Sequence, residues 1–157
     1  ALDLRSHHVT DLLWAAHEGM RDRYATKGVN LLIDERSVAG RQVLVDRSRI
    51  GQVLTNLLNN ALRHTPAGGT VMISAAGDRD QVGITVSDNG DGMTPEQLDH
   101  AFERFYRGDA ARTRDRTGSG IGLTISRAII NAHGGSLTAA SSGPDQGSTL
   151  TINLPTP

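Results

Sequence analysis

Two eight-residue runs, TVMISAAG at 70–77 and QVGITVSD at 81–88, alternate apolar and polar residues across the short polar break at Asp78 to Asp80. Period-two alternation means that one face of each strand is covered and the other is wet. With a three-residue turn between them, the runs read as a half-buried β-hairpin. A sheet with one apolar face needs a second layer to cover it, and the rest of the chain supplies that layer as helices.

Residues 9–27 place Val9, Leu12, Leu13, Ala16, Met20 and Tyr24 at helical spacing, ending near Lys27-Gly28. VNLLID at 29–34 and QVLV at 42–45 read as strands with a turn near Ala39-Gly40. Asp46 is placed to cap a long helix reaching His64, closed by Pro66 and Gly68-Gly69. Thr94 caps a shorter helix with Pro95 at its first position, expected to run to about Phe105. A loop rich in Arg, Asp, Thr and Gly spans 106–120, and Ile121 to Ala132 reads as an apolar helix ended by His133-Gly134-Gly135. SLTAAS and STLTINLP form two last strands around a Gly-Pro-Asp-Gln-Gly turn. The expected fold class is therefore α+β, a two-layer sandwich with a mixed, mostly antiparallel sheet and helices on one face. The 157 residues are expected to be a single domain, 1–157.

Aromatic residues make up only 3% of the chain, so aliphatic side chains must build the core. A net charge of −1 argues against a nucleic-acid binder that works by bulk electrostatics. There is no cysteine, which excludes disulfides and thiolate metal sites. No apolar run approaches the roughly 20 residues of a membrane span, and the polar start ALDLRSHHVTD is not a signal peptide. Lacking an initiator Met, the chain is expected to be a fragment of a longer one.

Three stretches carry chemistry. The first is RTGSGIGLTIS at 116–126, where Gly118, Gly120 and Gly122 alternate with Ser119 and Ile121 and are followed by Leu123. A dinucleotide fingerprint needs its third glycine one residue later and a strand before it, and a P-loop needs G-K-[ST], yet the one lysine is Lys27. What remains is generic: glycines admit an anion, and a helix N-terminus faces it. A flexible connector is the alternative. The second is Asp88-Asn89-Gly90-Asp91-Gly92-Met93, a carboxylate at a strand end followed by two glycines. It can accept a hydrogen bond from a ligand amino group beside a flat ring, or it can be a tight turn. The third is QVLTNLLNNALRHTP at 52–66. On a helix, Gln52, Asn56, Asn60, Arg63 and His64 fall on one side, opposite Leu54, Leu57, Leu58 and Ala61. Three asparagines are unfavourable in a helix interior. Amide oxygens suit Mg²⁺, and Arg63 suits phosphate; a solvated polar face is the alternative.

Taken together, NLLNNALRH with Asn56 and Asn60, Asp88-x-Gly90-x-Gly92, Phe102-Glu103-Arg104-Phe105-Tyr106-Arg107 and Gly118-x-Gly120-x-Gly122-Leu123 resemble the N, G1, F and G2 boxes of the catalytic ATP-binding domain of bacterial sensor histidine kinases, in the GHKL superfamily. Gly147-Ser148-Thr149 resembles the last glycine box. The resemblance runs from about Asp46 to Pro155. It implies a Bergerat-type fold with a mobile ATP lid, and ATP and Mg²⁺ as cofactors. It assigns Asp88 to the adenine amino group and Asn60 to Mg²⁺, with Asn56 beside it and Arg63 and His64 near phosphates and ribose. Gly90, Gly92, Met93 and Thr149 would complete the ATP pocket, and Gly118, Ser119, Gly120, Ile121, Gly122 and Leu123 would wrap the phosphates.

Hydrolytic relatives carry Glu where this chain has Asn56, and a neutral amide is no general base. The expected activity is therefore ATP held for transfer of its γ-phosphoryl group to a histidine. Residues 104–117 carry five Arg and two Asp, a local charge of +3; this reads as a phosphate clamp, with Arg107 expected to contact nucleotide or acceptor and 108–118 expected to be mobile without nucleotide. Ser6-His7 matches only the start of an acceptor-histidine motif, and His17 and His100 read as surface residues. The acceptor is thus expected on a separate dimerisation domain, and the fragment is not expected to autophosphorylate alone. A response regulator is the further expected partner, with no nucleic acid. The parent is expected to be a membrane-anchored homodimer, with this fragment a monomeric cytoplasmic piece. Two rival readings are a serine kinase of the anti-sigma-factor type and a non-catalytic ATP-sensing module.

Overall fold

The computed structural model describes residues 1–103 and 119–157. Arg104, Phe105, Arg107 and Gly118, and with them the expected mobile lid, lie outside the described residues.

A five-stranded sheet forms one layer. Its strands are β2 (Asn30–Asp34), β4 (Thr70–Gly77), β5 (Gln81–Asp88), β6 (Ser136–Ala140) and β7 (Ser148–Pro155), in the order β2-β4-β5-β7-β6. Only β2 and β4 are parallel; the other pairs are antiparallel. The alternation read in the sequence decides which face is covered. Val71, Ile73, Val82, Ile84, Val86, Leu150, Ile152 and Leu154 are buried, while the residues between them form a wetter face carrying Ser74, Thr85, Ser87, Thr149 and Thr151.

Three long helices lie on the apolar face: α1 (Val9–Lys27), α2 (Arg47–His64) and α4 (Ser119–Ala132), with the short α3 (Pro95–Asp99) between α2 and α4 in sequence. Leu13, Met20, Leu54, Leu57, Leu58 and Ile130 fill the interior, and Tyr24 is the largest fully buried side chain. Its hydroxyl donates to the carbonyl of Leu58 at 2.7 Å, so this buried aromatic spends its polar end joining α1 to α2. No helix among the described residues is long and apolar enough to cross a membrane.

Local chemistry accounts for the helix ends. Asp46 Oδ1 accepts from the Arg49 amide at 3.1 Å and caps α2. Thr94 and Gln97 form a reciprocal capping box at the start of α3, with Pro at the first turn. Gly28 and Gly134 close α1 and α4 in left-handed conformations, with φ of 82° and 77°.

Three expectations need correction. β1 (Arg5–His8), a strand not anticipated from RSHH, pairs antiparallel with β3 (Gln42–Val45), while β2 runs parallel beside β4. β3 turns Val43 and Val45 inward, and β1 supplies its only strand neighbour among the described residues. Second, α3 stops at Asp99 instead of continuing to Phe105. The chain turns there to set Phe102 on α4, where its carbonyl accepts from Thr124 Oγ1 at 2.8 Å and Arg127 stacks 4.2 Å from its ring centre. Third, His17 is wedged in place: Nε2 donates to the Leu31 carbonyl at 3.0 Å and its ring meets Trp14 edge-on. His100, half-exposed, pairs through Nδ1 with Glu103 at 2.6 Å.

Asp46 has two further bonds. Its Oδ2 accepts from the Asp3 amide at 3.0 Å, and its own N–H donates to His133 Nε2 at 3.1 Å. His133 Nδ1 donates in turn to the Ile129 carbonyl at 2.8 Å, which leaves Nε2 as the bare acceptor.

Candidate functional site

β5 ends in Asp88, which continues the even-numbered series Val82, Ile84 and Val86 and so faces the helical layer. Its Oδ1 accepts from the Gly90 amide at 2.9 Å. Burial pushes the carboxyl above its ordinary range, opposed by the Gly90 and Ser148 amides and by His64. Glycines wall this position because backbone passes too close for a side chain. A Cβ on Gly90 would collide with the His64 carbonyl, one on Gly92 with the Gly143 carbonyl, and one on Gly147 with the Asp88 carbonyl. Gly92 and Gly147 also hold φ of 69° and 73°, where other residues are strained.

These contacts join three segments by backbone alone. The Asp91 amide donates to the His64 carbonyl at 2.9 Å, the Gly147 amide to Gly90 at 3.2 Å and the Asp145 amide to Asp91 at 2.7 Å. Ser141 completes the joint: its hydroxyl accepts from the Met93 amide at 3.0 Å and donates to the Gly147 carbonyl at 2.7 Å.

α2 brings its polar side chains to the same end of the sheet. Asn56, Asn60, Arg63 and His64 are half-buried opposite a face made of Ile50, Val53, Leu54, Leu57, Leu58 and Ala61. Arg63 donates to Asn60 Oδ1 at 3.4 Å. His64 Nδ1 stands 3.7 Å from Asp91 Oδ2. Burial and the Arg63 charge hold the His64 imidazole below its usual range, against smaller opposing effects of Asp91 and Asp88. Two members of the polar stretch turn elsewhere. Asn59 accepts from Arg23 on α1 at 3.0 Å, and Gln52 is exposed.

α4 starts at Ser119, two residues before the expected start, with Ser119, Gly120 and Ile121 in its first turn. Gly122 faces Asn56, whose amide nitrogen donates to the Gly122 carbonyl at 3.5 Å and to Ser126 Oγ at 3.2 Å. Leu123 is 7% exposed and packs into the core, so its side chain is turned away from any ligand in front of the glycines. Thr149 is also set apart. It lies opposite Ser87 on the wet face of the sheet, with the two hydroxyls 3.1 Å apart, whereas Asp88 faces the helices. Ser148 is the residue paired with Asp88. One-residue alternation separates the two hydroxyls, and this register was not used in reading the motif.

Sequence reading missed Ser126 and Ser141. Ser126 had a signal available: it is a hydroxyl on the face of α4 that carries Leu123 and Ile130. Ser141 had none, because its role depends on two distant loops meeting. A groove of about 550 Å³ lies at the open edge of β2, lined among others by Trp14, His17, Leu32 and Met72. None of the residues around Asp88 lines it.

Several sensor kinases are similar to this chain. The signal transduction histidine-protein kinase BaeS of Escherichia coli is 43% identical over 148 residues, which is 92% of this chain and 30% of BaeS. The chain thus spans under a third of that relative's length. Among solved structures, the mycobacterial sensor histidine kinase MprB superposes with a TM-score of 0.83 at 28% identity, covering 96% of this chain and 97% of that one. Full-length ShkA in complex with AMPPNP gives 0.85 at 28%, covering 98% of this chain and 31% of that one. The model of the histidine kinase-, DNA gyrase B- and HSP90-like ATPases matches residues 45–157, from the end of β3 through the last strand, and so takes in the Asp88 cradle, the asparagine face of α2 and the start of α4. On that match and those relatives, the chain belongs to this ATPase family and groups within it with the catalytic domains of bacterial sensor histidine kinases.

Proposed function

We propose that this domain binds Mg-ATP between α2, the Asp88 loop and the start of α4, and presents the γ-phosphoryl group to a histidine on a separate dimerisation domain. The observation that carries the reading is a half-buried carboxylate, Asp88, walled by glycines and facing the same end of the helical layer as Asn56 and Asn60. A purine amino group donates to such a carboxylate, and the missing side chains at Gly90 and Gly92 leave room for a flat ring. Arg63 and His64 then stand beside the ribose and phosphates. The start of α4 offers free backbone N–H groups to the phosphates.

The donor set fits magnesium in kind. Asn60 supplies one neutral amide oxygen, already polarised by Arg63 at 3.4 Å, and a hard cation of this type takes its remaining ligands from phosphate and water. When bound, the ion would neutralise phosphate charge. Asn56 has no lone pair basic enough to activate water, so the site is fitted to transfer and not to hydrolysis. In the transfer, an imidazole nitrogen of the acceptor bonds to the γ-phosphorus and ADP leaves. The attacking nitrogen is the one that carries no proton, and the proton on the other ring nitrogen passes to a base outside this chain.

Residues 1–157 would then be one catalytic domain of a longer, membrane-anchored, homodimeric sensor protein whose product phosphohistidine supplies a response regulator. The test is incubation with γ-labelled ATP, with and without separately supplied acceptor domain. Acid-labile, base-stable label on the acceptor only when both are present is the expected result. Acid-stable label on serine, or nucleotide binding with no transfer to any acceptor histidine, would overturn it.

A further inference from the structure

Asn56 is fixed by a residue outside the recognised motif. Ser126 is fully buried between α2 and α4, on a helix face otherwise made of Leu123 and Ile130. Alanine would fill the same place at less cost in desolvation, so the hydroxyl needs a partner, and that partner is the Asn56 amide at 3.2 Å. The Gly122 carbonyl, 3.5 Å from the same nitrogen, fixes the direction of the bond. A carbonyl only accepts, so the amide must turn its NH₂ toward α4 and its oxygen away from it. A carboxylate at position 56 has no donor for either group and would be repelled by the Gly122 carbonyl.

We infer that Ser126 is a positioning residue: through Asn56 it sets the orientation of the amide at the nucleotide site and ties the helix that follows the glycine run to α2. The inference rests on the proposed placement of nucleotide against Asn56. One bond thus does two things that neither helix does alone. It selects which atom of Asn56 is offered to a ligand, and it keeps the first turns of α4 beside the asparagine face.

The test is a double-mutant cycle on Mg-ATP affinity, measured by calorimetry on the 157-residue chain with far-UV circular dichroism as a folding check. Asn56→Ala is expected to weaken binding about 10-fold and Ser126→Ala about 5-fold, the effect of losing one hydrogen bond. On the Asn56→Ala background, Ser126→Ala is expected to add less than about 2-fold, because its partner is already gone. In spectra of the single Ser126→Ala variant, the Asn56 side-chain amide resonances are expected to move. Should Ser126→Ala not fold, Ser126→Cys keeps the volume with a poorer acceptor and is read the same way. If Asn56→Ala weakens binding while the Ser126 variant leaves it unchanged, the inference fails and the nucleotide site stands. Equal losses in both backgrounds would make Ser126 merely structural and overturn it. Unchanged affinity in Asn56→Ala overturns the placement of nucleotide and the inference with it.

Discussion

Asp88 is held at a cost to the folded state. Burial raises its carboxyl above the unfolded value of 3.8, so the folded protein retains a proton that the unfolded chain releases. Stability therefore falls as pH rises through the interval between those two values, and at neutral pH the ionised group opposes folding. Asp88→Asn removes that opposition while its amide oxygen can still accept the Gly90 N–H. The expected outcome is a thermal midpoint unchanged or raised, with Mg-ATP affinity reduced about 10- to 100-fold, read by calorimetry beside a melt. His64 works in the opposite sense. Its folded value lies below the ordinary 6.5, so its contribution is complete above that pH and is lost as pH falls through the folded value. Denaturant midpoints are expected to decline below about pH 6.5, and His64→Gln to flatten that decline.

At the scale of elements, legibility followed the range of the forces. Asp46, Thr94 and Gly134 announce helix ends because a cap depends on residues within one turn, and the structure has each of those ends. The alternation of 70–77 and 81–88 likewise appears as β4 and β5 with the expected hairpin. β1 was not legible because RSHH is a strand only through its pairing with Gln42–Val45, more than thirty residues on. The same holds for the parallel pairing of β2 with β4. At the candidate site, Asn56, Asn60, Arg63 and His64 share the half-buried polar face of α2 that their helical spacing implied, and His64 comes near enough to Asp88 to influence its carboxyl. Ser141 and the 143–147 turn could not be joined to that site from sequence, because the backbone bonds between Asp145 and Asp91 and between Gly147 and Gly90 span more than fifty residues. The glycines make this joint testable. Gly147→Ala must accept both φ of 73° and a collision with the Asp88 carbonyl. It is expected to cost at least about 2 kcal/mol in chemical denaturation.

For the whole molecule, the five-stranded sheet and its helices form one body, and the β1–β3 pair forms a second, smaller sheet at its side. The family match begins only at residue 45 and leaves β1 out. Yet among the described residues β1 is the only strand neighbour of β3. Deleting residues 1–8 strips β3 of that neighbour, and an isolated strand has little stability of its own. The truncated chain is expected to melt about 2–4 °C below the full one, the shift that a loss on the order of 1 kcal/mol produces in a domain of this size. Its Mg-ATP affinity is expected to change less than about 3-fold, because β1 pairs with β3 and not with β5, whose end carries the cradle around Asp88.

Asp46 gives that small sheet a wider reach. One side chain takes the Asp3 amide on one oxygen and the first turn of α2 on the other, while its own amide is held by His133 at the end of α4. The N-terminal segment, the asparagine helix and the glycine-led helix are therefore connected in series, like three cables spliced at a single shackle. A displacement of residue 3 therefore has a route through this one carboxylate to the root of α2 and to the far end of α4.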